Sequence, residues 1–106
     1  MPVYANAARI RPPRHDELRE ELVRHLRGGP GLPKVPKIYE EPILDSPNIA
    51  VTVIWSEWRP LTDEERIAII LQAYAQARGE RASWAISSAV GLTPREAKEL
   101  GVSFAV

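Results

Sequence analysis

A chain of 106 residues has the usual size of one compact domain and is long enough to bury a core without disulfide or metal staples. With 44% hydrophobic and 26% charged residues it has the composition of a folded globular protein rather than a disordered one, and its formal net charge is zero. The absence of cysteine excludes a disulfide framework, a thiolate nucleophile and any cysteine-held zinc or iron–sulfur cluster supplied by this chain alone.

No apolar run of signal-peptide or membrane-spanning length occurs, so the expectation is a cytoplasmic protein without membrane contact. The charge is unevenly spread. Residues 1–37 carry eight Lys/Arg against four Asp/Glu, whereas residues 38–65 carry one against seven. That asymmetry suits a partner surface.

Residues 1–13 show no period and end in Arg11-Pro12-Pro13, which predicts a flexible N-terminal arm ahead of a single domain over 14–106. From residue 14 to 27, Leu18, Leu22, Val23 and Leu26 follow helical spacing, with Asp16 and Glu17 in the first turn and Arg24 and Arg27 in the last. Gly28-Gly29-Pro30-Gly31 ends this helix. Prolines at 33, 36 and 42 then predict an extended loop running into a short edge strand over 37–44. Asp45-Ser46-Pro47-Asn48 is a turn, and the β-branched run 49–55 is a strand that pairs with its predecessor as a hairpin.

Thr62-Asp63-Glu64-Glu65 is a capping box that starts a helix. Ile67, Ile70, Leu71 and Tyr74 carry its apolar face, broadened by Ile69 and Ala73, and Gly79 stops it. Residues 81–90 read two ways: a strand aligns Trp84, Ile86 and Val90, a helix aligns Ala82, Ala85, Ile86, Ala89 and Val90. Gly79 and Gly91 bracket a strand-sized segment, which favours the strand. Thr93-Pro94-Arg95-Glu96 is a second capping box, with proline at its preferred first helical position and Gly101 closing a short helix. The fold class is therefore α+β: a three-stranded sheet covered by helices in the order α-β-β-α-β-α.

Few side chains group into candidate chemistry. His15 and His25 lie ten positions apart on one helix, about 80° apart in angle, which sets them as surface residues rather than metal ligands. Glu21 and His25 form an i,i+4 pair of the kind that supports a helix. Asp63, Glu64 and Glu65 compensate a helix N-terminus, and Ser83, Ser87 and Ser88 lack the pattern of a nucleophile elbow. Residues 28–31 have the outline of a GxxG phosphate clamp, but precede a strand and include a proline, so a helix stop fits better. Arg9, Arg11, Arg14, Arg19, Arg24 and Arg27 are the candidate phosphate contacts. Of the tryptophans, Trp55 continues the face of Ile49, Val51 and Val53 and belongs to the core. Trp58 lies on the other parity, beyond the strand, and either packs under the following helix or joins a recognition surface with Arg59 and Arg66.

The element order is that of the KH-like class, and the stretch 51–66 resembles the central signature of the BolA family. There a hydrophobic strand leads to a Ser/Asp pair, an aromatic, a glycine, a serine and a helix near an Arg-His dipeptide. Here Val51 to Trp55 stand for the strand, Ser56-Glu57 for the pair, Trp58 for the aromatic, Pro60 for the glycine, Thr62 for the serine and Arg66 for the arginine. Ala85-Ile86-Ser87 and Thr93-Pro94-Arg95-Glu96 are similar to the family's last strand and its Thr-Pro-Glu-Glu helix start. The resemblance implies a KH-like fold and an adaptor role. It does not carry the family's glutaredoxin partnership through shared iron–sulfur clusters, because the positions of its histidines fall on Ile67 and near Ser83 to Ala85. The reading is thus a non-enzymatic adaptor or regulatory subunit, with a protein partner or a second copy of itself and with neither cofactor nor metal. The alternative is a nucleic-acid binder using the arginine-rich arm and first helix.

Overall fold

The structure, a computed structural model, describes residues 13–28 and 36–101, with side chains from Asp16 onward in the first of these segments. The chain runs α1 (Pro13–Leu26), β1 (Lys37–Pro42), β2 (Ile49–Ile54), a 3-10 turn (Ser56–Trp58), α2 (Asp63–Arg78), α3 (Glu80–Trp84), β3 (Ile86–Leu92) and α4 (Pro94–Glu99). The expected α-β-β-α-β-α order is present, with α3 as a short addition. The predicted arm lies outside the described residues except for Pro13, which opens α1.

Strand order is β1-β2-β3. β1 and β2 form the expected antiparallel hairpin, and β3 joins β2 in parallel after the crossover through α2 and α3. The turn at residues 45–48 is closed locally. The Ile43 N–H donates to the Asn48 carbonyl at 3.1 Å, the Ser46 N–H donates to the Ile43 carbonyl at 3.1 Å, and the Asn48 N–H donates to the Ser46 hydroxyl at 3.0 Å. Asp45 takes φ 61°, a left-handed conformation that a short polar side chain tolerates.

One face of the sheet carries the core. Val51 and Val53 are fully buried there against Ile69, Ile70, Ala73 and Tyr74 of α2, and Leu18, Leu22 and Val23 of α1 join the same cluster. Ile38, Ile49, Ile86 and Ala89 pack at its margin. The buried stripe of α2 runs Arg66, Ile69, Ile70, Ala73, Tyr74, so Ile69, Ile70, Ala73 and Tyr74 of the expected face are buried and its centre lies on the side of the broadening pair. Ile67 and Leu71 are half-buried at the margin of the stripe, and a buried arginine stands at its head. Both capping boxes form as expected: Thr62 Oγ1 accepts from the Glu65 N–H and Thr93 Oγ1 from the Glu96 N–H, and each glutamate accepts the N–H of its threonine.

Residues 81–90 depart from the strand expectation. Their first part is α3, set off from α2 by Gly79 at φ 96°, and Trp84 within it is 72% exposed. The strand begins only at Ile86 and extends to Leu92. Its register jumps from Ile49↔Ile86 to Ala50↔Ser88, so one extra residue, Ser87, bulges out. The bulge reverses parity: Ile86 and Ala89 both face the helices, while Val90 faces away and is exposed.

Gly91 marks the tightest packing. A Cβ there would lie 2.9 Å from Arg66 Cβ and 3.0 Å from Trp58 Nε1, both within the buried interior. Gly91→Ala is therefore expected to lower stability by about 1–3 kcal/mol through overpacking, read as a shift of the urea midpoint at unchanged slope.

Candidate interaction surface

The stretch that separates β2 from α2 builds inward rather than outward. The 3-10 turn brings Trp58 back beneath α2, where its indole N–H donates to the Val53 carbonyl at 3.0 Å and its ring meets Trp55 edge-on, 5.1 Å between centroids at 82°. Trp58 has no exposed surface. Of its two readings, packing is the one the geometry has.

Arg66 is likewise enclosed, at 4% exposure. Its Nε donates to the Leu61 carbonyl at 3.0 Å, and its Nη1 donates to the Gly91 carbonyl at 3.1 Å and to Glu96 Oε1 at 2.6 Å. Nη2 reaches Glu96 Oε2 at 3.4 Å, making the pair two-pronged. The Arg66 guanidinium, and next the backbone amide of Thr93, hold the Glu96 carboxyl below its ordinary range. Arg66 thus offers nothing to a partner. Arg59 alone of the three predicted contact residues is exposed. It borders an open cleft of about 690 Å³ with Ser56, facing Pro94, Arg95 and Glu99.

Arg24 of α1 and Arg27 just beyond it are hydrogen-bonded within the chain, whereas the buried Nε of Arg19 has no hydrogen-bond partner among the described residues. Arg24 pairs with Glu21 at 2.8 Å, Arg19 lies 3.8 Å from Asp16, and Arg27 donates to the Gln76 carbonyl at 3.0 Å. Arg9 and Arg11, and the side chains of Arg14 and His15, lie outside the described residues. His25 is half-buried beside a shallow cleft of about 270 Å³, shared with Glu40 and Arg78.

Sequence reasoning missed the polar group at that cleft. The Tyr74 hydroxyl and Arg78 Nη1 both donate to Glu40 Oε2, the second at 2.8 Å, and the Arg78 guanidinium lies 5.3 Å from the centre of the Tyr74 ring. Burial first, and then the bond to Glu40, push the Tyr74 phenol well above its ordinary range. The i,i+4 spacing of Tyr74 and Arg78 was visible in the sequence; their joint partner on β1 was not. Among the described residues no group of three His, Asp or Glu is placed to hold a metal ion, and no helix is long and apolar enough to cross a membrane.

Among the described residues, no helix covers the sheet face opposite the core. Strand alternation places Lys37, Tyr39 and Glu41 of β1 there. They stand beside Ile54, Thr52 and Ala50 of β2, which in turn neighbour Leu92, Val90 and Ser88 of β3. Leu92 is enclosed, but Tyr39, Thr52 and Ile54 are half-exposed and Val90 is 39% exposed. β1 also forms one edge of the sheet, with Lys37, Glu40, Glu41 and Pro42 exposed. Comparison with protein-family models, with curated proteins and with solved structures returns no match to this chain.

Two outcomes follow from these contacts. Trp58→Ala should cost about 3–5 kcal/mol in chemical denaturation, the range for emptying an aromatic site in a core. Glu96, depressed in the folded state, contributes stability above the usual carboxylate range and loses it as pH falls through its folded value. Denaturation curves taken between neutral and acid pH should therefore flatten in Glu96→Gln, which starts less stable at neutral pH and loses less on acidification.

Proposed function

We propose that this chain is a protein-interaction adaptor or regulatory subunit, without catalysis of its own, that takes a polypeptide partner on the uncovered face of its sheet. The observation that carries this reading is the row Tyr39–Thr52–Val90, which crosses all three strands on the side away from the helices. A half-buried aromatic, a threonine and an exposed valine give such a row apolar area with little conformational freedom to lose on binding. The resemblance of residues 51–66 to the BolA signature supports the same role. Ile67 and the Ser83–Ala85 segment offer no imidazole, so cluster sharing is not part of the proposal. A cysteine-free chain fits a reducing compartment, and we place the function in the cytoplasm. For the arginine-rich alternative, Arg24 and Arg27 are already engaged by Glu21 and the Gln76 carbonyl, which weighs against their use as phosphate contacts.

Val90→Lys tests the reading, because an exposed strand residue should change stability by no more than about 0.5 kcal/mol. Tagged full-length protein, wild type and Val90→Lys, is used to recover partners from the native host with quantitative mass spectrometry. The expected result is a protein retained by wild type and depleted at least about tenfold by the variant, near the cost of one unfavourable interface contact. Identical recoveries from the two baits would sink the proposal.

A further inference from the structure

The β1 edge carries a charge pattern that the fold itself does not use. Lys37 and Glu41 are exposed on the open face, and neither makes an ion pair among the described residues. Their neighbours on β2 are Ile54 and Ala50, which offer them no charge. They cannot meet each other either, since four residues along a strand span roughly 13 Å. Glu40, between them in sequence, points the other way and is held by Tyr74 and Arg78. Charges on an edge strand ordinarily discourage pairing with another chain. Here one positive and one negative side chain are set symmetrically about Tyr39.

We propose that two copies of this chain pair antiparallel through their β1 edges, about a two-fold axis at Tyr39, to form a continuous six-stranded sheet. Geometry allows few alternatives. An axis normal to the sheet keeps each face on its own side, and opposed residues must share a face, so the axis has to pass through a residue rather than between two. Centred on Tyr39, each Lys37 stands opposite the partner copy's Glu41, twice per dimer, and the two Tyr39 rings are neighbours. Centred on Glu40, the two Glu40 carboxylates oppose each other. Centred on Ile38, the buried Pro36 falls opposite Glu40 and shortens the ladder. In the Tyr39 register Pro36 and Pro42 fall just beyond the paired residues 37–41, so neither missing N–H interrupts the ladder.

This inference goes beyond the adaptor reading, because it uses the edge and leaves the face free for a partner. It also stands or falls separately, since it is tested on purified protein alone. A five-residue ladder with two exposed ion pairs is below the size of a standard interface, so the dimer is weak and salt-sensitive.

The experiment is sedimentation equilibrium of the full chain at high concentration and low salt, on wild type, Lys37→Glu, Glu41→Lys, the double variant, and an equimolar mixture of the two single variants. Both side chains are exposed, and circular dichroism confirms that each variant is folded. Wild type should dimerise, and each single variant should weaken dimerisation at least about tenfold by placing like charges opposite each other twice. The double variant should recover wild-type association. The mixture should form the heterodimer that neither variant forms alone, because every opposed pair is again of unlike sign. Wild type that stays monomeric, single variants that dimerise like wild type, or a mixture that remains monomeric would each overturn the proposal.

Discussion

The arrangement depends on one buried charge. Arg66 sits at the head of α2 with its guanidinium enclosed, and an unpaired charge in that position would cost several kcal/mol. Its donors are instead distributed over three parts of the chain: the Leu61 carbonyl before the helix, the Gly91 carbonyl near the end of β3, and the Glu96 carboxylate on α4. Because a charge-assisted bond weakens steeply with misplacement, these partners fix where the start of α2, the end of β3 and the whole of α4 lie relative to one another. The same constraint explains Gly91, whose missing side chain lets the strand approach Arg66 and Trp58, and it explains why Trp58 is packed in rather than displayed.

A second polar anchor does the corresponding work at the other end of α2. Tyr74 and Arg78 converge on Glu40 and hold β1 by the residue that faces the helices. Strand alternation then sends Lys37, Tyr39 and Glu41 to the opposite side. The two anchors therefore draw the helices onto one face and leave the other with half-exposed side chains across three strands. The functional reading rests on this division between a face covered by helices and a face with exposed apolar area.

Much of the scaffold was legible in the sequence because its signals are local. Both capping boxes, the hairpin turn and the β-branched run of β2 each depend on residues within a few positions of one another, and each appears where the pattern places it. The features that escaped are the non-local ones. Arginine is read as a surface residue by default, and only the tertiary positions of Gly91 and Glu96 make a buried one tolerable. Residues 81–90 carry weak period-2 and period-3.6 signals at once. The resolution, a five-residue helix followed by a bulged strand, breaks the parity on which any alternation argument relies. Of the contact residues expected from the sequence, Arg59 is exposed but borders the cleft beside α4 rather than the open sheet face, and Trp58 and Arg66 belong to the interior. Tyr39, Thr52 and Val90 carried no motif, because a face becomes open only through what the helices do not cover.

Edge and face are coupled in what they could achieve together. A short ladder held by exposed ion pairs gives little affinity, and a three-strand face of modest area gives little more. Pairing about a two-fold axis normal to the sheet puts both open faces on the same side, so a partner with two suitable segments meets two adjacent surfaces. Its second contact is then intramolecular, with an effective concentration set by the spacing of the faces rather than by bulk concentration. Occupation of both faces by one partner would in turn stabilise the edge pairing, since binding that favours the dimer must shift the monomer–dimer equilibrium by the same free energy. Weak self-association is then an advantage for a regulatory subunit, because a stronger edge would form the dimer regardless of the partner and remove the dependence of one event on the other.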